Sequence, residues 1–113
     1  MNYQIIEKIL IAFSDELVQK LKDDIDTIIW YGSTANNKAD EDSDIDVALI
    51  TKNENNEIWK AANEIAAKYS LQYDCLISPL IVSNNRFENM KSIGRLIAVN
   101  ITNNGKVLWQ KAA

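Results

Sequence analysis

The chain has 113 residues, enough for one hydrophobic core, so residues 1–113 are expected to form a single domain without a separate acceptor-binding unit. A net charge of −4 lacks the positive excess of proteins that track phosphate backbones, so nucleic acid is not expected as a partner. One cysteine and no histidine exclude an internal disulfide, a thiolate zinc site and imidazole acid-base chemistry, leaving oxygen ligands for any metal.

No apolar run approaches the roughly 20 residues needed to span a bilayer. Met1 to Leu10 also lacks the basic start and unbroken apolar centre of a signal peptide, so a cytoplasmic protein with no membrane partner is expected. From Tyr3 to Leu21, Ile6, Ile9, Leu10, Phe13, Leu17 and Leu21 recur at three- and four-residue steps, which predicts an amphipathic helix packed on a sheet. Asp23-Asp24 ends that pattern. Thr27 to Tyr31 is a β-branched and aromatic run that stops at Gly32-Ser33, the pattern of a buried strand entering a tight turn. If a helix begins just after Ser33, exposed backbone N–H groups, the helix dipole and Ser33 Oγ together suit phosphate oxygens.

The chain then passes Asn36-Asn37 and the acidic stretch Asp40, Glu41 and Asp42 to a second strand, Asp44-Ile45-Asp46-Val47-Ala48-Leu49-Ile50. Alternation in a strand points Asp44 and Asp46 one way and Ile45, Val47 and Leu49 the other. Two carboxylates so placed repel each other and resist desolvation unless a cation lies between them. Mg²⁺ fits, because it takes hard oxygen ligands and is commonly held by one or two carboxylates plus substrate phosphates.

Lys52 to Asn56 is a polar turn in which Asn55 or Asn56 can cap a helix, with Glu57 suited to its first turn. Ile58, Trp59, Ala62, Ile65, Ala66 and Tyr69 form its apolar stripe and are assigned to the core. Tyr73 to Val82 is expected to be the third strand, at an edge or bulged because of Pro79, with Tyr73, Cys75 and Ile77 on one face and Asp74, Leu76 and Ser78 on the other. Cys75 is read as a small apolar residue. Asn84-Asn85 is expected to cap a short helix over Arg86 to Lys91, and a second helix is expected from near Ser92. Ile93, Leu96, Ile97, Val99 and Ile101 make that second helix apolar round much of its circumference, implying burial or a partner. Asn104-Gly105 would end it in a left-handed residue, before a terminal strand over Lys106 to Gln110. Arg86, Lys91 and Arg95 are the candidate cations for a triphosphate. This order predicts an α/β (α+β) fold, a small mixed sheet flanked by helices.

Gly32-Ser33, ten residues, then Asp44-x-Asp46 at the head of an apolar strand resembles the signature of the nucleotidyltransferase superfamily, in particular its minimal nucleotidyltransferase branch. The closing residues, Ile93 to Trp109, resemble that family's last helix and strand, so the likeness spans essentially the whole chain. The resemblance implies transfer of a nucleoside monophosphate, with AMP from ATP foremost, to a hydroxyl. It implies two Mg²⁺ ions held by three carboxylates: Asp44 and Asp46, with Asp74 as the acidic residue of the later strand-like run and a candidate base. Gly32 and Ser33 would orient the β and γ phosphates. Single-domain members resemble antitoxins that modify a tyrosine of a small helical HEPN-type toxin, which makes such a toxin the implied partner. Two other readings stand beside it: transfer to a small-molecule hydroxyl of the aminoglycoside type, and a non-catalytic module that binds a partner. The last is motivated by Asn36-Asn37, where many relatives carry Arg-Gly.

Overall fold

A computed structural model describes residues 1–37 and 43–112; the acidic stretch at Asp40, Glu41 and Asp42 lies outside the described residues. The elements are α1 (Tyr3–Leu21), β1 (Ile25–Tyr31), β2 (Ile45–Thr51), α2 (Asn56–Tyr73), β3 (Ile77–Ser83), α3 (Asn84–Ser92), α4 (Leu96–Asn104) and β4 (Lys106–Gln110). They form the expected mixed sheet flanked by helices. The strand order is β3-β2-β1-β4, with β1 antiparallel to β2 and β4, and β2 parallel to β3. A parallel pair needs a long crossover, and α2 supplies it.

Strand alternation divides the core in two. Ile28 and Trp30 of β1 and Ile45, Val47 and Leu49 of β2 pack with Phe13 and Leu17 of α1 and with α2. Ala48 and Ile50 of β2 and Val82 of β3 pack with Phe87 and Met90 of α3 and with Ala98 and Ile101 of α4. Pro79 lies in β3, which is an edge strand, where a missing N–H is tolerated.

Side chains set the helix starts. Asn2 Oδ1 accepts from Ile5 N at 2.9 Å for α1, and Asn55 Oδ1 accepts from Ile58 N at 2.9 Å for α2. For α3 the cap is Ser83, whose Oγ accepts from Arg86 N at 3.2 Å, so the helix starts earlier than an Asn84-Asn85 cap would allow. Ser92 closes α3 and does not open α4, which begins at Leu96. Gly105 is extended (φ −74°), not left-handed as expected. Glycine suits it for a different reason, since a Cβ there would overlap the Ile101 carbonyl oxygen and Ile29 Cγ2.

The largest departure from expectation is at the α2–β3 junction. The helix continues through Tyr73, and Asp74 is its left-handed C-cap (φ 52°), with its N–H donating to Ser70 O. Ser70 holds the reversal from both sides: its Oγ donates to Ala66 O at 2.7 Å and accepts from Ile77 N at 2.9 Å. Tyr73 stacks on Tyr69 one helical turn back, at 6.1 Å between ring centroids. Tyr73, Asp74 and Cys75 are therefore not strand residues, and the faces predicted for them do not apply. Trp59 also departs from expectation: it is 60% exposed, outside the core stripe that buries Ile58, Ala62 and Tyr69.

Candidate active site

The register of β1 and β2 pairs Trp30 with Val47 and Tyr31 with Asp46, at the end of the pair that opens into the Gly32 turn. Asp46 shares its side of the sheet with Ala48 and Ile50, and therefore faces α3 and α4. Its carboxyl is pushed above the usual range, first by burial and then by the negative charge of Asp44, which places the two acids within electrostatic reach of one another. Burial, with the charge of Asp46 added, pushes the neighbouring Tyr31 phenol up to about 12.

Gly32 is fixed by two requirements. Its φ of +82° is left-handed, and a Cβ there would overlap Asp46 Oδ2. The backbone of the turn thus approaches the carboxylate as closely as a residue without a side chain permits. Residues 33–37 form hydrogen-bonded turns, and no helix follows Ser33 among the described residues. Trp30 Nε1 donates to the buried Thr34 Oγ1 at 2.8 Å, and Asn37 N donates to Thr34 O at 3.3 Å. Asn36 Nδ2 donates to Gly32 O at 3.1 Å, while Asn37 adopts a left-handed φ of 56°. Asn36-Asn37 therefore keeps the turn shaped, because asparagine tolerates the left-handed region better than most residues. What it lacks beside an Arg-Gly pair is a positive charge. Ser33 is exposed in this turn, next in the chain to Gly32.

The three candidate cations separate. Arg86 pairs with Glu54, and Lys91 pairs with Glu88 at 2.9 Å and lies over the Phe87 ring. Arg95, at the N-cap of α4, lines a cleft of about 550 Å³ with Tyr31, Gly32, Leu96, Ile97 and Asn100. Sequence reasoning gave no site role to Tyr31 or Asn100. For Tyr31 a signal existed, since two strands meeting across one turn must set it beside the Asp44-x-Asp46 motif.

Asp74 does not join the site. It is exposed at the end of α2, next to Cys75, and no group of three acidic, cysteine or histidine side chains able to hold a metal forms among the described residues. The expected triad of Asp44, Asp46 and Asp74 therefore does not form one cluster among the described residues, because the residues before β3 reverse the chain instead of extending it. Asp44 and Asp46 alone still suit a divalent cation shared with nucleotide phosphates. The raised Asp46 carboxyl is a charge conflict that such a cation relieves.

Comparison with known proteins gives the family and the fold. Residues 15–113 match the family described as Polymerase beta, Nucleotidyltransferase. A Methanocaldococcus jannaschii chain named "Putative protein adenylyltransferase" is 42% identical over 83 residues, covering 69% of this chain and 79% of that one. Among solved structures, a crystallised toxin-antitoxin with AMP-PNP superposes with a TM-score of 0.58 at 20% identity, over 89% of this chain and 73% of that one. A chain of the Shewanella oneidensis complex of a tri-AMPylated HEPN toxin with its MNT antitoxin superposes with a TM-score of 0.52 at 21% identity, over 96% and 73%. The structural matches establish the shared fold, and the sequence matches establish descent: this chain belongs to the polymerase beta nucleotidyltransferase family.

Proposed function

We propose that the chain transfers AMP from ATP to a hydroxyl of a partner protein in the cytoplasm, with a tyrosine of a HEPN-type toxin as the acceptor, and so acts as an antitoxin. The observation that carries this reading is the Asp44-Asp46 pair set against the Gly32-Ser33 turn, with Asp46 Oδ2 occupying the space a side chain at residue 32 would need. The sequence relative named an adenylyltransferase favours AMP, and so do the fold neighbours crystallised with AMP-PNP or with an AMPylated toxin. The exposed apolar surface of Ile93 (63%) and Leu96 (72%), at and just before the start of α4 beside the cleft, favours a macromolecular acceptor over a small molecule.

In this reading Asp44 and Asp46 hold Mg²⁺, which when bound neutralises phosphate charge and stabilises the leaving pyrophosphate. Ser33 Oγ and the turn N–H groups orient the β and γ phosphates, and Arg95 supplies the positive charge that Asn36-Asn37 does not. The acceptor oxygen forms its bond to the α-phosphorus as the bond from that phosphorus to the pyrophosphate oxygen breaks. The acceptor proton passes to a carboxylate oxygen of Asp46 and then to solvent. Asp74 has no part in this step. Co-expression with a HEPN-type toxin, followed by mass spectrometry of the toxin, tests the reading. An AMP adduct on a tyrosine is expected with the wild type and not with Asp44→Ala/Asp46→Ala; an unmodified toxin in both cases overturns it.

A further inference from the structure

We infer that Ser78 stands where a third carboxylate would complete this centre, so that the site takes one divalent cation per nucleoside triphosphate in place of two. The inference rests on the nucleotidyl-transfer reading above and concerns how that site is built. The parallel register of β2 and β3 pairs Asp46 with Ser78, Ala48 with Leu80 and Ile50 with Val82. Ala48, Ile50 and Val82 belong to the cluster under α3 and α4, with Leu80 packed against it. By alternation Ser78 therefore faces the same side as Asp46, one strand spacing of about 4.8 Å away.

The sequence of β3 is Ile77-Ser78-Pro79-Leu80-Ile81-Val82-Ser83, which contains no acidic residue. Asp74 is taken out of contention by its place at the α2 C-cap. Both carboxylates of the centre therefore come from one segment, Asp44 and Asp46, and the neighbouring strand adds a neutral hydroxyl. A pair of carboxylates and phosphate oxygens satisfies one Mg²⁺. Among the described residues, a second ion on the β3 side would have only oxygens already shared with the first, plus a hydroxyl that carries no charge at neutral pH. That side is better filled by the acceptor itself, whose hydroxyl can hydrogen-bond to Ser78 Oγ.

Native mass spectrometry of the full chain with Mn²⁺ and α,β-methylene-ATP counts the ions directly. One Mn²⁺ per nucleotide-bound chain is expected for the wild type and for Ser78→Ala, and two for Ser78→Asp, with circular dichroism to establish that the variants are folded. Two ions in the wild type, or no second ion in a folded Ser78→Asp, overturn the inference and leave nucleotidyl transfer standing. Failure of the wild type to bind nucleotide overturns both.

Discussion

On one face of the sheet Phe13, Leu17 and Trp30 have no exposure at all, and the strands pack against the helices α1 and α2. On the other face a smaller cluster built on Ala48, Ile50 and Val82 is covered by two short helices, and at its rim lie Asp46, Tyr31 and Gly32 with an open cleft beside them. The first face is apolar packing of the kind that stabilises. The second holds a carboxylate whose burial and like-charged neighbour both oppose ionisation, so it carries an electrostatic cost that a cofactor can offset. In the proposed reading, binding chemistry and fold stability fall on opposite sides of one β1-β2 ladder, with Trp30 and Tyr31, adjacent in sequence, pointing to different sides.

Substitutions that act on one face and spare the other sharpen this division. Phe13→Ala should cost about 3–5 kcal/mol, the range for deleting a buried aromatic ring, read by urea denaturation. Its activity below the melting transition should be retained. Asp46→Asn should do the reverse: transfer falls by roughly 10²- to 10³-fold, the scale of removing one preorganised charge-stabilising group, while the melting temperature in EDTA rises.

Thr34→Val removes the acceptor of the Trp30 indole N–H across the junction between the two faces. Leaving that buried donor unpaired costs about 1–3 kcal/mol, and this is the substitution expected to lower both stability and nucleotide affinity. Arg95→Ala should weaken binding of an ATP analogue by roughly tenfold, as expected for losing a charge-assisted contact, whereas Arg86→Ala, which breaks only the exposed pair with Glu54, should leave it unchanged. Equal effects of the two arginines would break the assignment of the cleft. The smallest effect is on pH dependence. Because the folded-state pKa of Asp46 is raised, ionising it disfavours the folded state. Stability in EDTA should therefore decline as pH rises from the ordinary carboxylate range through the raised value, and Asp46→Asn should remove that component.

Much of this was legible before the structure. The α1 stripe gives the helix bounds, the Asn55 or Asn56 cap the start of α2, and the Gly32-Ser33 and Asp44-x-Asp46 spacing the family and the candidate site, because each is a local pattern with a local cause. The sequence misleads where the cause is tertiary. Tyr73 to Ile77 alternates like a strand, but Tyr73 stacks on Tyr69 and the Ser70 hydroxyl accepts from Ile77 N, so the helix keeps those residues and Asp74 caps it. Trp59 sits at core spacing yet is exposed, since the stripe of α2 is satisfied by Ile58 and Ala62 on either side. Ser78 carried no signal by itself. Its meaning comes from register, and register between strands separated by a helix is not written in either one.

Asp44 and Asp46, held against the Gly32 turn, are proposed to form the nucleotidyl-transfer centre. Incubating purified protein and a HEPN-type toxin with Mg²⁺ and ATP labelled at the α-phosphorus tests it most directly. Label is expected on the toxin with the wild type and not with Asp44→Ala/Asp46→Ala. Label retained by the double variant at the wild-type level would contradict it.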